Sequence, residues 1–194
     1  VDGSDASWHA VDVAMALARR CDTNVDIIEM VTDEAGIDDA ETRLADRVGQ
    51  HDTLGVEVTT KAIVATESVA AAIADEVENH PEVTVVMASH GRGRSAALFG
   101  SVAEELLQRV FGPVLVVGPH CGLGPFDGPI VVTVDGSSAS ESVLPLAAAW
   151  GIELRAEPWI VEVVEPDTLV PGDVDESAYP ARLAQRLTAE SGHP

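Results

Sequence analysis

The amino-acid sequence predicts an α/β fold, in which a doubly wound, mainly parallel, five-stranded sheet carries helices on both faces. Short apolar runs rich in β-branched residues alternate with segments in which apolar residues recur at helical spacing. This alternation implies right-handed βαβ crossovers and therefore parallel strands. The composition agrees, because 46% of the residues are hydrophobic and only 4% are aromatic. Small aliphatic side chains suit helices that pack closely on a parallel sheet.

The predicted elements follow one another along the chain with short connections. Residues 1–7 are typical of a strand end that turns into a helix, with Ser4 or Ser7 as the helix cap. The strand that should precede this turn is missing from the sequence. Further strands are predicted at 25–31, 56–64, 83–88 and 113–117, and helices at 10–18, 38–51, 69–77 and from 101 onwards.

The sequence contains an internal repeat at an offset of 133 residues. When 1–33 is aligned with 134–166 without gaps, 11 positions are identical, and they cluster in the first loop and the following strand. Identities in this pattern indicate duplication. We therefore predict a first domain over 1–119, a Gly/Pro-rich linker over 120–129 and a partial second domain over 130–194.

The second copy ends where its third strand should begin. After an insertion around 167–180, the segment 182–186 matches 43–47 of the first copy. Such a partial domain leaves apolar faces uncovered. Either the sequence omits residues of a longer protein, which we favour, or the partial copy completes its sheet with the first domain or with another chain.

Charge and composition exclude several classes of partner and site. The chain has 33 acidic and 11 basic residues and a formal charge of −22, so we expect no nucleic-acid partner. Cys21 and Cys121 lie far apart without a C-x-x-C pair or a histidine cluster, and no metal ligands are predicted. No apolar run has the length of a membrane span and no signal peptide is visible, so we expect a cytoplasmic protein without a membrane partner.

The candidate chemistry lies in the glycine-rich loop between the fourth strand and the helix that begins at Ser101. Glycines allow a backbone to approach a ligand closely, and a helix start attracts anions. A P-loop is excluded because the only lysine, Lys61, lies in a predicted strand. The dinucleotide pattern is matched only in part, at Gly91, Gly93 and Ala96, since its ribose-binding acid is absent. Ser101 also fits a capping box with Glu104, which would make it only a helix cap.

These motifs resemble those of the universal stress protein family. The resemblance rests on Val-Asp-Gly-Ser at 1–4, Ala-Ser-His-Gly at 88–91, Gly-Ser at 100–101 and the apolar run at 113–117. In that family the loop after the fourth strand follows G-x2-G-x9-G-[ST] and holds the ribose and phosphates of ATP. This chain departs from the pattern twice, because Ala88 replaces the first glycine and eight residues, not nine, separate Gly91 from Gly100. The resemblance also implies the strand order 3-2-1-4-5.

The resemblance implies a nucleotide site at the loops after the first and fourth strands, where the strand order reverses. It assigns Asp2 and the Val1 backbone to the adenine side and Val31 to an apolar wall. The residues assigned to the ribose and phosphates are Ala88, Gly91, Gly100, Ser101 and the amide of Val102. Arg92 and Arg94 form a positive patch that would favour a polyphosphate, although solvated loop arginines are the alternative. Asp2 has an alternative role in bonding its own backbone within a turn.

The function predicted from this resemblance is an adenine-nucleotide-binding regulatory module of a stress response, with ATP, with or without Mg²⁺, at one site in the first copy. It is a binder and not primarily a catalyst, and no catalytic residue is predicted. The departures at Ala88 and in loop length weaken binding and can leave the site empty. One alternative is a nucleotide-free protein that acts through protein contacts, and another is a slow Mg²⁺-dependent ATPase. The edge strand at 113–117 is expected to form a homodimer or a tandem-domain pair.

Overall fold

The computed structural model divides the chain into two units, Val1–Gly124 and Pro125–Pro194, and it describes residues 1–91, 99–162 and 178–191. The division falls inside the segment 120–129 that the sequence marks as a linker. Helices and parallel strands alternate in both units, so the predicted α/β fold is confirmed. Among the described residues, no helix is both long enough and apolar enough to cross a bilayer.

The first unit contains four helices and four strands within its described residues. Its elements are α1 (Asp5–Cys21), β1 (Val25–Val31), a 3₁₀ turn (Glu34–Gly36), α2 (Ile37–Val48), β2 (Val58–Val64), α3 (Val69–Asn79), β3 (Val85–Ala88), α4 (Ser101–Arg109) and β4 (Val114–Val117). β2 and β3 each begin two residues later than predicted. The reason is a turn before each strand, in which Val56 N–H donates to Thr53 and Val83 N–H donates to His80.

The strands of the first unit form two parallel pairs. β1 pairs with β2 from Val25 opposite Val58 onwards, and β3 pairs with β4 from Val85 opposite Val114 onwards. The amino nitrogen of Val1 donates to the Ile28 carbonyl, which places the start of the chain beside β1. Both observed pairs are neighbours in the order 3-2-1-4-5, while the order of the whole sheet stays a prediction.

Two helix pairs supply the packed cores of the first unit. Trp8, Val11 and Met15 of α1 pack with Ile27 of β1 and Leu44 of α2. A separate cluster joins α3 and α4 and contacts the β3–β4 sheet; its members include Ala70, Ala74, Leu106, Val85 and Met87. Because β1 carries the first cluster and β3 contacts the second, both strands end at well-supported positions, and their following loops carry the candidate site.

The second unit contains β5 (Ile130–Val134), α5 (Ser138–Glu141), α6 (Leu144–Leu154), β6 (Pro158–Glu162) and α7 (Ala178–Ser191). β5 and β6 are parallel, and the side chains of Val132, Val134 and Leu144 are buried between the strands and the helices. The single helix α1 of the first unit corresponds to two helices here. Pro145 lies in the first turn of α6, and proline cannot donate the backbone hydrogen bond that would continue α5 into α6.

Candidate functional site

The loop that begins with Asp2 is a tight turn closed by its own side chains. Asp2 Oδ1 accepts hydrogen bonds from the Ser4 N–H at 2.9 Å and the Ser4 hydroxyl at 2.6 Å. Ser4 then caps α1, since its Oγ accepts from the Ser7 N–H at 3.2 Å. Gly3 between them has φ of 78°, a conformation that favours glycine. The turn role considered for Asp2 is therefore observed, and Ser4, not Ser7, is the cap.

The same Asp2 carboxylate also lies against the glycine-rich loop. A Cβ atom added to Gly91 would lie 2.5 Å from Asp2 Oδ2, which is far inside any normal contact distance. Only a residue without a side chain therefore allows this approach. The structure thus brings together two predicted site residues from the loops after the first and fourth strands.

The far end of the glycine-rich loop returns to the end of β3. Gly100 N–H donates to the Ser89 carbonyl at 2.7 Å, and the buried Ser89 follows Ala88, which pairs with Val117 at the end of the β3–β4 sheet. Ala88 itself is half-buried. Gly100 therefore reaches the predicted site through Ser89, which stands directly after Ala88.

The start of α4 has the features of an anion site, but its cap differs from the capping-box interpretation. Gly100 is the N-cap and makes no side-chain capping bond, while Ser101 is already the first helical residue. The capping role considered for Ser101 is therefore wrong. The N–H groups of Ser101, Val102 and Ala103 have no partner inside the helix, because they lie in its first turn. Such N–H groups and the helix dipole favour a negative charge.

The remaining predicted site residues have different positions. Val31 ends β1, and its carbonyl accepts from the Ala65 N–H at 2.8 Å. Val1 lies beside β1 through its bond to Ile28. Arg92, together with Arg94, Gly93 and Ala96, lies outside the described residues.

A cleft of about 750 Å³ lies next to these loops, between the start of α1, the end of β1 and the inner side of α2. We call it the α1–α2 cleft. Gly3 and Val31 line it together with Glu29, Arg43 and Thr32. Arg43 donates to Glu29 at 2.7 Å, and this hydrogen bond raises the pKa of Arg43. The volume lies in the range of small-molecule sites.

The wall of the cleft on the α1 side is an aromatic cluster. Trp8 is buried and stacks on the His51 ring, with 5.0 Å between the ring centroids. The Arg47 guanidinium lies 5.4 Å from the Trp8 ring centroid, and His51 Nδ1 lies 2.6 Å from Asp12 Oδ1. These contacts hold the ends of α1 and α2 together and give the cleft a supported wall.

Sequence reasoning missed the α1–α2 cleft. Glu29 had been noted only because Glu162 repeats it, and Arg43 only because the segment 182–186 matches 43–47. Neither signal says that the two side chains meet, because their contact depends on how α2 packs over β1. Within the part of the chain that the structure describes, no group of three or more His, Cys, Asp or Glu side chains is arranged to hold a metal ion.

The second unit repeats the hydrogen bonds of the Asp2 loop. Asp135 Oδ1 accepts from the Ser137 N–H at 2.9 Å, and Ser137 Oγ accepts from the Ser140 N–H at 3.1 Å. Gly136 has φ of 82°, close to that of Gly3. Hydrogen bonds from Ser137 and Ser140 lower the pKa of Asp135 to about 2. No described glycine of the second unit approaches Asp135 as Gly91 approaches Asp2.

A family model and several solved structures match this chain. The model of the universal stress protein family matches residues 1–118. A universal stress protein from Archaeoglobus fulgidus DSM 4304 is 18% identical, with a TM-score of 0.67, over 100% of this chain and 73% of that chain. Universal stress protein UspA from Lactobacillus plantarum is 23% identical, with a TM-score of 0.51, over 60% of this chain and 92% of that chain. At these identities the solved structures show the fold alone.

A third match is a universal stress protein in complex with cAMP, with 24% identity and a TM-score of 0.48 over 61% of this chain and 91% of that chain. No curated protein sequence matches this chain.

Proposed function

Because this chain belongs to the universal stress protein family, we propose that its first unit binds an adenine nucleotide, ATP foremost, and acts as a regulatory module. The proposed site comprises the loops after the first and fourth strands, with Val31 as the apolar wall beside the base. Family membership supplies the class of ligand. The geometry of Asp2, Gly91 and Gly100 supports the position.

The observation that carries the proposal is the contact between the Asp2 carboxylate and Gly91, at a distance that no residue other than glycine allows. A carboxylate held beside a glycine backbone can accept hydrogen bonds from the hydroxyl groups of a ribose. The anionic end of the nucleotide would then lie at the start of α4, where the N–H groups of Ser101 and Val102 point out of the helix. Arg92 would add positive charge there.

The two departures from the family pattern set the expected affinity. Ala88 adds a methyl group at the end of β3 where a glycine would allow closer approach, and the shorter loop changes how Gly100 meets the phosphates. Losing one or two charge-assisted hydrogen bonds weakens binding by about 1.5–3 kcal/mol each. We therefore expect dissociation constants that are roughly micromolar or weaker.

We also propose that the second unit is a partial tandem copy that does not bind the nucleotide. The shared hydrogen bonds of the Asp2 and Asp135 loops support common ancestry, in addition to the repeated sequence. Asp135, however, has no glycine-rich loop after a fourth strand beside it in the sequence. One nucleotide per chain is therefore expected.

The test is calorimetric titration of the full chain with ATP and Mg²⁺, with cAMP as a second ligand. Asp2→Asn and Asp135→Asn are a matched pair, because asparagine can keep the turn in either copy while the charge is lost. We expect one site, a loss of affinity of about tenfold or more for Asp2→Asn, and no change for Asp135→Asn. Two equivalent sites, or equal effects of the two substitutions, would contradict the proposal.

A second candidate function is protein contact through the outer edge of β4, and here we propose a homodimer. β4 pairs only with β3 among the described strands. Val85 and Ser89 donate to the carbonyls of residues 113 and 117, so Val114 and Val116 direct their backbone groups to the other edge. Phe111, just before the strand, is fully exposed. An unpaired apolar edge invites another strand.

The assembly is tested by light scattering after size-exclusion chromatography. Val116→Pro removes an N–H at the outer edge and leaves the bonds to β3 in place. We expect the mass of two chains for the unaltered protein and of one chain for Val116→Pro, with unchanged circular dichroism. A monomer at about 100 μM, a typical concentration for weak dimers to form, or a variant that still dimerises would count against this seam.

A further inference from the structure

We propose that the Glu29–Arg43 ion pair in the α1–α2 cleft recognises the edge of the nucleotide base and selects adenine. This inference rests on the proposed function, because it assigns the selectivity of the same nucleotide site. It adds a role for two side chains that none of the sequence motifs assigned.

The position of Glu29 on β1 turns its carboxylate into the cleft. Side chains alternate along a strand, so Ile27, Glu29 and Val31 share one face of β1. Ile27 is buried in the core beneath α1 and α2, and the Glu29 side chain is only 15% exposed. A carboxylate is costly to desolvate without a partner. Arg43 supplies that partner at 2.7 Å from α2 and is itself more than half exposed.

The cleft is continuous with the proposed nucleotide site. Gly3 lines the cleft and directly follows Asp2, whose carboxylate lies against Gly91. Val31 lines the same cleft from the end of β1. A nucleotide with its phosphates at the start of α4 and its ribose at Asp2 would therefore direct its base past Gly3 into the cleft.

The ion pair presents hydrogen-bonding groups in a fixed order. The carboxylate of Glu29 accepts hydrogen bonds, and the neighbouring guanidinium of Arg43 donates them. The edge of adenine carries an amino group that donates beside a ring nitrogen that accepts, which is the complement of this pair. Hypoxanthine has the reverse order, because a carbonyl oxygen that accepts stands beside a ring N–H that donates. Mismatched polar groups in a partly buried site lower affinity.

The competing explanation is that the pair only fastens α2 to β1. An ion pair with one exposed member contributes little to stability, and a purely structural role predicts no dependence on the base. The second copy offers a matched control, since Glu162 is the repeat equivalent of Glu29 and belongs to the unit that we propose does not bind the nucleotide.

The experiment is calorimetric titration of the full chain with ATP and with inosine triphosphate, each with Mg²⁺. We expect the unaltered chain and Glu162→Gln to prefer ATP by about tenfold or more. Glu29→Gln should bring the two affinities within about threefold of each other, because the amide of glutamine both donates and accepts. Arg43→Met provides the same comparison if Glu29→Gln does not fold.

Three results would overturn the inference. The unaltered chain could bind both triphosphates equally, or Glu29→Gln and Arg43→Met could keep the preference, in which case the pair is only structural. If ATP still binds and depends on Asp2, the proposed function stands and only the base selectivity is wrong. If neither triphosphate binds the unaltered chain, the proposed function fails and the selectivity fails with it.

Discussion

In the first unit a buried tryptophan joins the first helix to the second, whereas an ion pair makes the equivalent contact in the second unit. Trp8 is 5% exposed, and the Arg47 guanidinium lies over its ring. The repeat aligns Glu141 with Trp8, and the match of 182–186 with 43–47 aligns Arg186 with Arg47. Glu141 accepts from Arg186 at 2.8 Å and from the Tyr179 hydroxyl at 2.8 Å.

The two copies thus differ between their helices but agree in their first loop. The turn at Asp2 and Asp135 needs a carboxylate, a glycine at positive φ and a capping serine, and few other residues meet these backbone requirements. A contact between two helices requires only a favourable pair of side chains of suitable size. An arginine can meet that need by lying over an aromatic ring or by binding a carboxylate.

The largest expected difference between the units is in stability. Trp8→Ala removes a buried aromatic side chain from the core with Met15 and Leu44, and such substitutions cost about 3–5 kcal/mol in the free energy of unfolding. Glu141→Ala removes an ion pair near the surface and should change stability far less. Urea unfolding followed by circular dichroism measures both variants against the unaltered chain.

A purely local control is available in the same helix as Trp8. Arg20→Ala alters a side chain at the exposed end of α1 and should have a small effect. Similar losses of stability for Trp8→Ala and Glu141→Ala would mean that the ion pair supports the second unit as strongly as the buried ring supports the first.

The sequence predicted the fold well where a local pattern was sufficient. β1 was predicted at 25–31 and is observed at Val25–Val31, because a run of apolar, β-branched residues between turn signals is a strong strand pattern. The division of the helix after the second loop was not predicted. Pro145 stands where α1 has Asp12, and attention to this proline would have indicated the break.

The candidate site could be predicted in part. The turn chemistry at Asp2 and the glycines after β3 identified both loops, and the structure shows that Asp2 meets Gly91. The α1–α2 cleft could not be predicted, since Glu29 and Arg43 meet only through the packing of α2 over β1. The role of Ser101 as a cap was an equally reasonable interpretation from sequence, and only the backbone conformation of Gly100 decided against it.

The smallest expected effect concerns the carboxyl of Asp135, and it tests whether the second copy keeps the turn found in the first. Hydrogen bonds from Ser137 and Ser140 favour the charged form and lower the pKa of Asp135 to about 2 from 3.8. A lowered pKa in the folded chain means that these bonds stabilise it fully above about pH 4 and that the contribution is lost as the pH falls through about 2. Carbon-detected NMR titration of Asp135 should give a midpoint near 2, and Ser137→Ala should move it towards 3.8, because the bond from the Ser137 side chain is the largest cause. A midpoint near 3.8 in the unaltered chain would mean that the Asp135 turn opens in solution and that the likeness of the two loops is confined to their sequences.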